Sequence, residues 1–139
     1  MKKAILIFTL FLCLAPFSVA KSQYKGLNSF FEGDTLFYSL SSFINSNKII
    51  IVDQNNKIFS TGKEFKNQSK SGVQTIKIIN TIPKEKNYVL LGDYIVNEEL
   101  AVISFVNSTK KKYMIYTFKR ITGHPEWWSI LSVSEGEMN

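Results

Sequence analysis

Cysteine is almost missing from this chain: one residue, Cys13, among 139. It falls inside an N-terminal apolar stretch that reads as an export signal, so the exported chain is expected to hold none. No disulfide, thiolate metal site or cysteine nucleophile is then available to it. Histidine is equally scarce. His124 stands alone before Pro125, and one imidazole without cysteine does not make a zinc site, which takes three or four ligands. No serine sits in a G-x-S-x-G setting, which removes the elbow form of nucleophilic catalysis. The seven glycines are spread singly, so no phosphate-cradling loop exists. Repeats, low-complexity tracts and Pro/Gly-rich linkers are also lacking, and no boundary divides the chain after its first twenty residues.

Those twenty residues carry the most specific signal. Lys2-Lys3 form a positive start, Ala4 to Ala15 an apolar core broken only by Thr9, and Ser18-Val19-Ala20 a small-residue cleavage site. A short membrane anchor is the competing reading. A spanning helix takes about 20 apolar residues, and Pro16 and Ser18 end this run early. Cys13 follows Leu12 rather than a small residue, which argues against lipidation. Cleavage near Ala20 leaves a periplasmic or secreted chain of 119 residues, 21–139, with no stable membrane span. That length suits one domain with a single packed core. Abundant Lys, Asn and Ile point to an AT-rich, bacterial source.

The exported part carries 15 Lys+Arg against 11 Asp+Glu. Apart from Lys110-Lys111-Lys112 the charges are scattered, whereas a nucleic-acid binder gathers them on one element among aromatics. The three lysines lie between strand-like runs and read as a solvated turn, so no nucleic-acid partner is expected. Attraction to an anionic membrane face or an acidic partner stays open.

Apolar spacing predicts a helical front. Tyr24, Leu27, Phe30 and Phe31 mark one face of a short helix, Glu32-Gly33-Asp34 a break, and Leu36, Leu40, Phe43 and Ile44 a second helix ending at Asn45-Ser46-Asn47. Asp34 suits the N-cap. Lys48–Val52 is a β-branched strand, and Lys57–Ser60 a second short run after the turn Asp53-Gln54-Asn55-Asn56. Thr61-Gly62-Lys63-Glu64 has the form of a capping box and predicts a third helix over Lys63–Ser69. Strands follow at Val73–Ile82, Tyr88–Val96, Leu100–Val106, Lys112–Arg120 and Trp127–Val133. Their short links predict an antiparallel meander. Both faces of Lys112–Arg120 are apolar, so the sheet is either covered twice or curved around a pocket.

This order of elements resembles the nuclear transport factor 2-like fold, the SnoaL-like or ketosteroid isomerase-like superfamily. The resemblance rests on Phe31-Glu32-Gly33-Asp34, Ile50-Ile51-Val52-Asp53, Thr61-Gly62-Lys63-Glu64-Phe65 and Trp127-Trp128-Ser129-Ile130. It implies an α+β cone: a strongly curved antiparallel sheet wrapped around two to three helices from the N-terminal half, with a pocket at the open end. The convex face would pair with a second copy in a homodimer. The functions implied range over isomerases, cyclases, binding modules and toxin-immunity proteins, and fold does not choose among them.

By position Asp53 matches the general base of the isomerase-like members, which needs a phenol or acid to hold an oxyanion. Tyr24 and Tyr38 are the candidate donors, and no aspartate in the late strands supplies the acid. Asp53 also suits a plain turn opener. Phe31, Phe37, Tyr116, Trp127 and Trp128 are the candidate lining of a site for a small apolar ligand. No metal and no cofactor is expected. The expected function is an exported ligand- or protein-binding module. The alternatives are a toxin-inhibiting or immunity-type protein, an isomerase or cyclase using Asp53, and an all-β barrel in which residues 21–44 are partly strands.

Overall fold

The computed structural model describes residues 23–58, 62–69 and 72–139. The export signal, Thr61 and residues 59 and 60 of the expected 57–60 run lie outside the described residues. Eight strands and two short helices form one curled mixed sheet, a half-barrel in an α+β fold.

The front of the chain is helical but opens differently from the periodicity. Gln23–Lys25 is a strand, β1, paired antiparallel with Trp127–Ser129. Gly26, at φ 70°, turns the chain out of it, a conformation that costs glycine nothing. A 3-10 helix then spans Leu27–Glu32 and buries Leu27, Phe30 and Phe31. The α-helix α1 covers Asp34–Ile44 and buries Leu36, Phe37 and Leu40. Asp34 is its first residue rather than its cap, and there its charge still complements the helix dipole. At the other end Asn45 adopts a left-handed conformation and Ser46 N donates to Ser41 O at 3.0 Å, closing the helix. The all-β alternative fails here, since 36–44 is helix.

Strand β2, Lys48–Val52, lies between β4, Gly72–Ile79, and β5, Tyr88–Val96, and is parallel to both. The purely antiparallel expectation is thus corrected. Asn80 to Asn87 is a crossover that carries the chain over β2 and back to its starting end. The expected third helix is also corrected: Glu64–Ser69 is strand β3, an antiparallel edge on β4. A capping signal needs a helix worth capping, and this segment's Phe65, Asn67 and Ser69 have modest helix propensity. Six ladder partners on β4 outweigh it.

The back half is the expected meander. Strands β5, β6 (Leu100–Asn107), β7 (Lys112–Ile121) and β8 (His124–Glu137) pair antiparallel in turn. The full order is β1-β8-β7-β6-β5-β2-β4-β3. Register shifts at Leu91/Tyr94, Thr117/Phe118 and Arg120/Ile121 bend the sheet. Ser134–Glu137, beyond the expected Trp127–Val133 strand, continues β8 against Lys112–Ile115. On the concave side the core joins Phe30, Phe31, Leu36 and Leu40 to Ile49, Ile51, Ile76, Ile78, Ile103, Phe105, Met114, Tyr116 and Phe118.

Candidate functional site

Asp53 ends β2 and is 2% exposed. Its Oδ2 accepts a hydrogen bond from Ile58 N at 2.9 Å, and its own carbonyl accepts one from Asn56 N at 3.2 Å. Its amide donates to Ile79 O at 2.8 Å. The carboxylate thus holds the 53–58 turn closed, the arrangement an Asp before Gln-Asn-Asn is suited to.

The candidate donors do not meet it. The Tyr24 hydroxyl is buried with no hydrogen-bond partner among the described residues, on a strand at the far edge of the sheet from β2. Tyr38 lies on the outer side of α1, 55% exposed, with its ring against Phe37. The three groups of the isomerase reading are not assembled into one site.

The hollow where the ligand was expected is full. Phe30 stands edge-on to Tyr24, Phe31, Tyr116 and Phe118, at centroid distances of 5.4, 5.5, 4.8 and 4.8 Å. Phe31 continues the set to Phe105, and Tyr116 stacks on Phe118. These edge-to-face contacts add about 0.5–1.5 kcal/mol per pair beyond burial. Of the expected lining residues, Phe31, Phe37, Tyr116 and Trp128 belong to this packed interior. Where the helices meet Phe65 and Ile76, the gap beside Phe31 and Phe37 is about 10 Å³, no more than one water needs.

Tyr116 carries the most perturbed group. Burial pushes its phenol well above the ordinary value; the neighbouring Ser39 hydroxyl opposes this, while Glu135 and Tyr24 add to it. Among the described residues no partner stands at good hydrogen-bonding distance from the Tyr116 hydroxyl. Ser39 itself donates to Thr35 O at 2.7 Å. A phenol held neutral in this way is a poor acid.

Trp127 is the expected ligand residue that solvent reaches. With Gln23, Ile121 and His124 it lines an open trough of about 480 Å³ on the outside of the sheet. His124 is exposed there and begins β8. Among the described residues no three His, Cys, Asp or Glu side chains gather as a metal site would require.

One cluster escaped the sequence reading. The Arg120 guanidinium lies 4.2 Å from the Trp128 ring centroid and donates to the carbonyls of Glu98, Pro125 and Asn97. Its backbone amide donates to Glu99 O at 2.8 Å. Arg120 continues the inward alternation Met114, Tyr116, Phe118, which is the signal that could have found it. It ties the β5–β6 turn to β8, and its donors are spent on backbone.

No family model matches this chain, no curated protein matches it, and no solved structure matches its fold.

Proposed function

We propose that this chain is an exported, nuclear transport factor 2-like domain that works as a protein-binding module, with a second copy of itself as the first partner. The observation that carries this reading is the filled hollow: the cone is packed with aromatic rings where an enzyme of this kind would keep a cavity. The spent carboxylate of Asp53 and the scattered tyrosines support it from the side of chemistry. What is left to present is the outer face. There Ile95, Val102 and Thr117 align across β5, β6 and β7, with Val106, Tyr113 and Ile115 in the neighbouring rows. Ile95 is 58% exposed. A row of β-branched side chains on an uncovered sheet is a surface a copy can bury.

Sedimentation velocity tests it. The expected result is a dimer that Val102→Lys converts to a monomer with an unchanged circular dichroism spectrum. A folded wild-type chain that stays monomeric at the highest soluble concentration would sink the dimer reading.

A further inference from the structure

The scattered lysines of the sequence are not scattered in space. At one end of the meander the β6–β7 turn carries Lys110, Lys111 and Lys112. Asn107 Oδ1 fixes that turn by accepting from the amides of Lys111 and Lys112, at 2.9 and 3.0 Å. The Ser108 hydroxyl donates to Lys86 O at 2.6 Å, which seats the 84–87 part of the crossover against the turn. Asn87 Nδ2 donates to Lys48 O at 3.0 Å, which brings in the start of β2. Six exposed lysines, 48, 84, 86, 110, 111 and 112, thus share one end with three acids, Glu85, Glu135 and Glu137. The ion pairs among the described residues, Lys25–Glu126 and Lys66–Glu64, use none of them. The opposite end, around the 53–58 turn, the β5–β6 turn and the start of β8, has Asp53, Asp93, Glu98, Glu99 and Glu126 against Lys25, Lys57, Lys119 and Arg120. The molecule is electrically polar along its strands.

We infer that this lysine-rich end docks on an anionic phospholipid bilayer. Unpaired like charges held together repel one another, and a negative surface is what relieves them. One further feature selects lipid over nucleic acid or an acidic protein. The large apolar side chains exposed around the lysines are aliphatic: Val73, which lines one groove with Lys48 and Asn87, at 57%, and Met138, whose amide donates to Lys111 O, at 40%. Single-stranded nucleic acid is bound instead on exposed aromatics. Aliphatic side chains within a ring of lysines can enter the headgroup layer while the ammonium groups meet the phosphates. The inference does not depend on the dimer, which uses the outer face of the sheet.

Vesicle co-sedimentation of the exported chain tests this, with phosphatidylglycerol and phosphatidylcholine mixed in equal amounts against phosphatidylcholine alone. Binding is expected on the mixed vesicles, falling as salt is raised. Each lysine near such a surface contributes roughly fivefold, so Lys111→Gln with Lys112→Gln should weaken binding roughly tenfold or more. Lys25→Gln with Lys119→Gln removes the same charge from the other end and should change binding less than about twofold. Equal loss in both pairs, or equal binding to both vesicle types, overturns the inference. Capture on a polyglutamate matrix without vesicle binding also overturns it, assigning the patch to an acidic protein.

Discussion

At the scale of single residues, two buried hydroxyls find no partner within hydrogen-bonding geometry among the described residues. Tyr24 and Tyr116 both bury their phenol oxygens without a partner, and a polar group so placed costs stability that its ring contacts must offset. Tyr116→Phe keeps every ring contact and removes the orphan oxygen. It should leave the protein unchanged or more stable by about 0.5–1 kcal/mol in urea denaturation. The same substitution has a pH signature. Burial raises the Tyr116 and Tyr94 phenols above 10 in the folded state, so between 10 and the folded value the unfolded chain has lost protons the native chain retains. Stability is then full below pH 10 and falls as pH rises past it. In Tyr116→Phe the fall should be shallower. An identical alkaline profile for the variant would show that the phenol is not buried as described. Asp53 belongs at this scale too. Its place after a β-branched strand and before Gln-Asn-Asn could be read from sequence, but that place suits a base and a turn alike. Only the bond from Ile58 N assigns the carboxylate to the turn.

Among the elements, the meander was the most legible and β3 the least. Alternation in 112–120 survives because both faces of a strand follow its own pleat, whatever its neighbours do. A capping box says only how a helix would begin, and β4 offered residues 64–69 a complete antiparallel ladder instead. The bulge in β5 was likewise hidden. Gly92 and Asp93 fall in the register shift, where Asp93 N donates to Ser104 Oγ at 2.6 Å and that hydroxyl donates to Asp93 Oδ2 at 3.1 Å. A Cβ on Gly92 would stand 2.5 Å from Ser104 Oγ. Gly92→Ala should therefore cost about 1–3 kcal/mol. Because the hydroxyl is the obstacle, Gly92→Ala with Ser104→Ala should cost less than the two single changes added together. Strict additivity in the double-mutant cycle would mean that the alanine does not meet Ser104.

At the scale of the whole molecule, one ring system joins helices to sheet. Phe30 touches residues from β1 and β7 as well as its helical neighbour Phe31. Removing it opens a void that the surrounding rings cannot close. Phe30→Ala should cost about 3–5 kcal/mol. Circular dichroism and tryptophan fluorescence should then report one shared, lowered transition. Separate transitions for helix and sheet would show that the two layers do not share a core. The lysine-rich end also exists only at this scale, since it draws on β2, the crossover and the β6–β7 turn.

Sequence alone determined the number and type of most elements, the helical front and the four-strand meander, because propensity and apolar period act within a few neighbouring residues. It also carried the candidates Asp53, Tyr24 and the aromatic set, since side-chain chemistry is a local property. Tertiary structure decided the parallel seat of β2, the strand identity of residues 64–69 and the packing of rings into the hollow. It decided as well that lysines from distant parts of the chain share one end. Those outcomes depend on which surfaces meet after the sheet curls, and hydrogen-bond partners and charge neighbours across a sheet are set by register between segments far apart in the chain.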